Sequence, residues 1–149
     1  MEIGKSVPQF ELKDQNGDLF KSEDFAGKMP LVIYFYPKNF TPGCNREACG
    51  FRDHFEDFSD LGAKVIGISA DSEASHKRFA KRFRLPFTLL SDGDNKVRRK
   101  FGVQSNLLGM LPGRETFIFD KEGKLTFRFK AMGADPHIKK ALKHLNHSK

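Results

Sequence analysis

The sequence predicts one α/β domain over residues 1–149, a central mixed β-sheet flanked by helices, with a β-hairpin at its N-terminus. Three observations predict it. Apolar runs of strand length, such as Leu31–Tyr36 and the stretch around Val65, Ile66 and Ile68, alternate with amphipathic stretches of helix length, the pattern of strands and helices packed about a shared sheet. A length of 149 residues suits one domain and can bury a core without staples. Hydrophobic residues at 38% and charged residues at 30% exclude a disordered chain, and no apolar run approaches the roughly 20 residues of a membrane helix.

The elements follow in order. Phe10-Glu11-Leu12 and Asp18-Leu19-Phe20 flank Asn16-Gly17, a hairpin signal. A short helical turn starting at Ser22 or Asp24 ends at Gly27. Leu31–Tyr36 is rich in β-branched and aromatic residues and reads as a strand buried on both faces. After a loop from Lys38 to Gly43, Ala48, Phe51, Phe55 and Phe58 recur at helical spacing with charges between them, which predicts one amphipathic helix ending near Leu61-Gly62. Lys64–Ala70 is the next strand, Ser72 caps a helix over 73–83, and 87–90 is a third strand. A short helix runs from Asp94 or Asn95 through Phe101. Arg114–Asp120 and Leu125–Lys130 form a closing hairpin, and Asp135-Pro136 opens a last helix. A βαβ half joined to a ββα half resembles a thioredoxin-like fold.

The chain is basic: 26 Lys+Arg against 19 Asp+Glu give +7. Nine basic residues fall in two clusters, Lys77, Arg78, Lys81, Arg82 and Arg84, then Lys96, Arg98, Arg99 and Lys100. Such charge attracts nucleic acid or is a solvated surface on two helices; with no zinc-finger spacing and no RNA-binding aromatic signature, no nucleic-acid partner is expected. The N-terminus has no basic stretch followed by an apolar one, so no signal peptide is read and the cytoplasm is the expected compartment. No exposed apolar stripe forces an assembly, and a monomer is expected.

Cys44 and Cys49 are the only cysteines. In a reducing compartment such a pair points to catalysis or metal binding. Two thiolates without a nearby His pair do not supply the four ligands of a metal site, and His54 reads as a solvated helix residue. Cys44 stands where a buried strand has ended and a helix begins. Its sulfur is thereby brought near unpaired first-turn N–H groups and the positive end of the helix dipole, a setting that favours the reactive thiolate. Thr41 offers a hydroxyl three residues earlier, and Pro37 and Pro42 stiffen the loop. Arg114, read from its own surroundings, is a surface arginine at a strand edge. Glu47 is either a support for the pocket or a solvated first-turn acid.

The residues Pro37-x-x-x-Thr41-x-x-Cys44 match the active-site motif of the peroxiredoxins. Phe35-Tyr36-Pro37-Lys38-x-Phe40-Thr41-Pro42-Gly43-Cys44, with Glu47-Ala48-Cys49, resembles the bacterioferritin-comigratory, or Q-type, subfamily. Val65-Ile66-Gly67-Ile68-Ser69-x-Asp71, Phe87-x-Leu89-Leu90-Ser91-Asp92 and Arg114-x-Thr116-Phe117-Ile118-Phe119-Asp120 resemble the family as well.

The resemblance implies a cofactor-free thiol peroxidase acting on hydrogen peroxide and organic hydroperoxides. Cys44 is then the peroxidatic cysteine, and Thr41 and Arg114 hydrogen-bond the sulfur and the peroxide. Pro37 shields the pocket, Cys49 closes a disulfide onto Cys44, and thioredoxin or glutaredoxin reduces it. A thioredoxin-type disulfide oxidoreductase is the alternative enzyme, but its two cysteines separated by two residues are absent. Asn45 and Glu115 depart from the more usual residues, Trp is absent, and the loop Gln104–Gly113 is unusually apolar, which suggests organic hydroperoxides. If Cys49 does bond Cys44, a spacing of five residues within one helix requires the first turn or more to unwind.

Overall fold

The computed structural model of the chain describes residues 1–103 and 113–147; the apolar loop, except for its last residue Gly113, lies outside them. The elements are β1 (Glu11–Asp14), β2 (Leu19–Lys21), a 3-10 turn (Ser22–Asp24), β3 (Leu31–Phe35), α1 (Pro42–Asp53), α2 (Phe55–Asp60), β4 (Lys64–Ser69), α3 (Glu73–Phe83), β5 (Thr88–Ser91), α4 (Lys96–Lys100), β6 (Glu115–Phe119), β7 (Leu125–Lys130) and α5 (Asp135–His147). Seven strands form one mixed sheet in the order β2-β1-β5-β4-β3-β6-β7. β3, β4 and β5 are parallel, whereas β6 runs antiparallel to β3 and the hairpin β1–β2 joins antiparallel to β5. The expected α/β class, mixed sheet and N-terminal hairpin are all present.

Side chains alternate across a strand, and β3 therefore feeds two cores. Val32, Tyr34 and Tyr36 pack with Cys44, Ala48, Phe51, Phe58, Phe79, Ile138 and Ala141 on one face. Leu31, Ile33 and Phe35 pack with Phe10, Phe20, Val97, Phe101, Phe117 and Phe119 on the other. All five β3 residues are buried, as expected of a strand covered on both faces.

Two expectations need correction. The helix after the loop begins at Pro42 and not at Cys44, and it breaks at His54, whose φ of −106° and ψ of 15° separate α1 from α2. Pro42 sits in the first helical turn with Thr41 as the N-cap, where a missing N–H costs nothing. Phe51 and Phe58 are both fully buried with ring centroids 5.5 Å apart, so the apolar repeat runs through the break without registering it. His54 is exposed, as expected, and pairs with Asp57 at 3.0 Å. The second correction concerns the basic cluster around α4. Arg98 is buried, at 6% exposed, and is not part of a solvated surface.

This topology collects functional groups at one edge. In parallel α/β sheets, sites form beyond the carboxyl ends of the strands. Here Pro37 follows β3, Asp71 follows β4 and Asp92 follows β5, while Arg114 precedes the antiparallel β6.

Candidate active site

Cys44 is the third residue of α1 and is 1% exposed. The first intrahelical bond runs from the Asn45 N–H to the Thr41 carbonyl, at 2.8 Å. The N–H groups before it lack intrahelical partners and carry the positive end of the helix dipole. Arg114 Nη2 donates to Cys44 Sγ at 3.3 Å. The other nitrogens of that guanidinium are also used: Nη1 donates to Glu47 Oε1 and Nε donates to the Met132 carbonyl at 2.9 Å. A planar fork held at three points has one orientation. Gly43 leaves room for it, since a Cβ there would lie 3.0 Å from Arg114 Nη2.

Glu47 is fully buried and paired with Arg114, so it is not a solvated acid. Burial pushes its carboxyl up, and the Arg114 charge and hydrogen bond, which favour the carboxylate, pull against that. For Arg114 the balance runs the other way. Burial alone would lower its pKa, but the negative charges of Glu47 and Cys44 outweigh burial and raise it. Behind Glu47 lies His137 of α5, also fully buried, with Nδ1 3.8 Å from Glu47 Oε2. His137 Nε2 is 2.8 Å from the Ala131 carbonyl, which can only accept, so Nε2 carries the proton. Nδ1 then accepts from the Thr116 hydroxyl at 2.7 Å. Burial lowers the His137 pKa to about 4, so the ring is neutral near pH 7.

The loop before α1 is pinned from the opposite side. Asn39 is 3% exposed; its N–H donates to Asp71 Oδ2 at 2.9 Å, its Oδ1 accepts from the Tyr36 hydroxyl at 2.6 Å, and its Nδ2 lies 3.0 Å from His76 Nδ1. His76 Nε2 faces the Leu90 carbonyl at 3.0 Å. By the same logic as for His137, Nε2 is the donor and Nδ1 the acceptor. Phe40 next to it holds a φ of 63°, the left-handed region, and rests edge-on against Phe79 at 5.2 Å.

The predicted site residues are thus partly brought together. Cys44 and Arg114 are in contact. Pro37 is half-buried and follows directly on the end of β3. Thr41 caps α1, but its hydroxyl donates to the Lys38 carbonyl at 2.8 Å, and among the described residues it makes no hydrogen bond to Cys44. Cys49 is half-buried further along α1, and both cysteines are free thiols. Sequence reasoning missed Asn39, His76 and His137. Nothing in their local pattern marks them, because most of their hydrogen-bond partners come from other elements. Among the described residues no cluster of three or more His, Cys, Asp or Glu fits a metal ion, and no helix is long and apolar enough to cross a membrane.

Comparison with known proteins points the same way. The AhpC/TSA family model matches residues 3–128. A chloroplastic peroxiredoxin Q of Gentiana triflora is 50% identical over 143 residues, covering 95% of this chain and 65% of its own length. The chain thus spans just under two thirds of that relative. The crystal structure of peroxidoxin BcpB from Mycobacterium tuberculosis superposes with a TM-score of 0.91 at 37% identity, covering 100% of this chain and 99% of that one. A bacterioferritin comigratory protein of Xanthomonas campestris, described for its alkyl peroxide reduction activity, has a TM-score of 0.85 at 33% identity, covering 94% of this chain and 92% of that one. With the buried cysteine, its arginine and a matching fold in place, the resemblance read from the motif residues holds: this chain belongs to the AhpC/TSA family, among the peroxiredoxins.

Proposed function

We propose that this chain is a thiol-specific peroxidase that reduces hydrogen peroxide and organic hydroperoxides, with Cys44 as the nucleophile. The observation that carries this reading is the 3.3 Å contact of Arg114 Nη2 with Cys44 Sγ in a buried helix N-terminus. A thiolate there has a fixed cationic donor beside it, positioned where charge moves along the S–O–O axis during attack. The sulfur attacks the near peroxide oxygen, an S–O bond forms as the O–O bond breaks, and the far oxygen leaves with a proton as water or an alcohol. Cys44 becomes a sulfenic acid. The Cys49 thiol then displaces water from it and an S–S bond forms. An external dithiol, thioredoxin or glutaredoxin, returns both thiols.

The remaining roles are part of the same reading. Pro37 shields the sulfur. Thr41 serves the peroxide once its hydroxyl turns away from the Lys38 carbonyl. Supporting the organic substrates is the alkyl peroxide activity named for the Xanthomonas relative. The chain works as a monomer in the cytoplasm, a compartment supported by its lone pair of cysteines; the curated plant relatives are chloroplastic.

The test is peroxide turnover with thioredoxin on wild type, Cys44→Ser and Cys49→Ser. Cys44→Ser is expected to lose all turnover, and Cys49→Ser to complete one oxidation and stall. Activity retained in Cys44→Ser would overturn the assignment of the nucleophile; normal turnover in Cys49→Ser would overturn the assignment of the second cysteine.

A further inference from the structure

β3 and β6 pair antiparallel only as far as Phe35↔Glu115. Beyond that pair the ladder stops, yet the next residues, Tyr36-Pro37 on one side and Gly113-Arg114 on the other, carry the site. Arg98 fills the fork where the strands part. Its Nη2 donates to the Tyr36 carbonyl at 2.9 Å and its Nη1 to the Gly113 carbonyl at 2.7 Å. We propose that Arg98 is a positioning residue of the peroxide-reactive centre, tying the backbone before Pro37 to the backbone before Arg114 and so setting where the Arg114 guanidinium meets Cys44. The proposal rests on the reading of Cys44 as the residue that reacts with peroxide.

Four features support it. Arg98 approaches from the face of the sheet opposite Cys44: its guanidinium carbon lies 5.6 Å from the Phe35 ring centroid, and Phe35 belongs to the other core. It touches the scaffold of the site and leaves the peroxide pocket clear. Its own element is anchored, because the Asp92 carboxylate accepts from the Val97 N–H at 3.0 Å and the Arg98 N–H at 2.9 Å, and the Asp92 N–H is held by the Ser69 carbonyl at 2.8 Å. A rigid line therefore runs from β4 through Asp92 and α4 to the fork.

The residue type also fits the task. Two carbonyls on separate strands need two donors in a fixed plane, which arginine supplies and lysine, a point charge, does not. Finally, a buried cation is costly without partners, and no ion pair to a carboxylate holds this one among the described residues. Burial depresses its pKa, and the negative charges of Asp92, Cys44 and Glu115 work against that. The cation thus sits within electrostatic reach of the sulfur across the sheet.

A merely structural staple would weaken folding without singling out the peroxide reaction, and the test separates the two. Reduced wild type, Arg98→Met, Arg98→Lys, the exposed neighbour Arg99→Met and Cys44→Ser are mixed with hydrogen peroxide under stopped flow. Alkylation of Cys44 by iodoacetamide at alkaline pH is followed by peptide mass, since that reaction needs the sulfur but no oriented donor for peroxide. Arg98→Met is expected to lower the peroxide rate constant by about ten- to a hundredfold, the order that a small misplacement of reacting groups costs, while alkylation stays within about threefold. Arg98→Lys keeps the charge without the fork and is expected to fall at least about fivefold; should Arg98→Met not fold, this variant carries the test.

Arg99→Met is expected to match wild type. A wild-type rate in Arg98→Lys, equal losses in Arg98→Met and Arg99→Met, or parallel loss of peroxide reaction and alkylation would each overturn the proposal. Peroxide consumption by Cys44→Ser would instead overturn the reading of the nucleophile, and that failure is recognisable because the Arg98 variants leave Cys44 in place.

Discussion

Formation of the Cys44–Cys49 disulfide should unwind the first half of α1 and stop at Gly50. Both cysteines lie in one helix, five residues apart. A rise of 1.5 Å and a turn of 100° per residue on a 2.3 Å radius place their Cα atoms about 8.6 Å apart, with side chains leaving the axis about 140° from one another. A disulfide needs Cα atoms within about 7 Å and converging side chains, so the helix must open between them. Glu47 lies in the opened stretch and is drawn away from Arg114. Parting a buried pair costs about 3–5 kcal/mol. In the reduced protein that cost keeps the turn closed and slows its amide exchange by about 10² to 10⁴-fold. The other half of the helix is tied by apolar contacts: Phe51 stacks on Tyr34 with ring centroids 4.6 Å apart, and Gly50 lies so near Ile138 that a Cβ would meet it at 2.9 Å.

The assay is amide hydrogen exchange by mass spectrometry on reduced protein, on the disulfide form, and on Cys49→Ser oxidised to the sulfenic acid. Residues 45–53 should lose their protection in the disulfide form alone, because the N–H groups of 50–53 donate to carbonyls of the opened stretch, while His54 and Phe58, which donate to the Gly50 and His54 carbonyls, keep it. Equal protection of residues 45–49 in the reduced and disulfide forms would refute the geometric reasoning.

Three further outcomes are expected. His137 is neutral in the fold, with a pKa lowered from 6.5 to about 4; the unfolded chain takes up its proton first as pH falls through 6.5, so stability should drop by about 3 kcal/mol between pH 6.5 and 4. The difference in unfolding free energy between wild type and His137→Gln, followed by denaturant unfolding against pH, should carry this slope. Arg114→Met leaves Glu47 buried and unpaired, which should cost about 3–5 kcal/mol of stability and lower the peroxide rate by about 10² or more; adding Glu47→Met should restore most of the stability and none of the rate, as read by denaturation and stopped flow. Asn39→Ala strips Tyr36 and His76 of a buried partner and should cost about 1–3 kcal/mol, seen as a lower Tm, together with a slower peroxide reaction as the loop after Pro37 loosens.

What the sequence made legible divides by the range of the interaction responsible. The strand Leu31–Phe35 and the helix α3 follow from neighbours within one element: an unbroken β-branched and aromatic run for the first, and Ser72 capping with Phe79 on a buried face for the second. Cys44 was legible for the same reason, since its place at a helix start is fixed by Pro37, Thr41 and Pro42 within eight residues. The break at His54 was hidden because Phe51 and Phe58 satisfy the helical repeat on both sides of it. Arg98 was hidden because a helix of five residues with four basic ones has too few apolar positions to define a buried side. Its partners, the Tyr36 and Gly113 carbonyls, lie 62 and 15 residues away. The burial of Glu47 likewise depends on Arg114, 67 residues distant, and so the local pattern left its role open.

The proposed chemistry asks two opposed things of α1, and its contacts are distributed accordingly. For attack on peroxide, the first turn must hold Cys44 still against Arg114; for disulfide closure, the same turn must come apart. The ties that hold the first half are one charged hub, with Arg114 shared between Cys44 and Glu47, and the packing of Cys44 and Ala48 in the core. Those that hold the second half are packing contacts, Phe51 on Tyr34 and Gly50 against Ile138, which do not depend on the charge of the sulfur. A thiolate that becomes a neutral sulfenic acid removes one of the two anions facing Arg114, so the chemical step weakens the hub that keeps Cys49 away. Glu47 and the packing of Ala48 then restrain the turn, and the charge-assisted part of the Arg114–sulfur bond, roughly half its strength, is gone before Cys49 has to move. Peroxide reduction would thereby loosen one tie on the turn that disulfide closure then opens, while the packing of the second half stays in place.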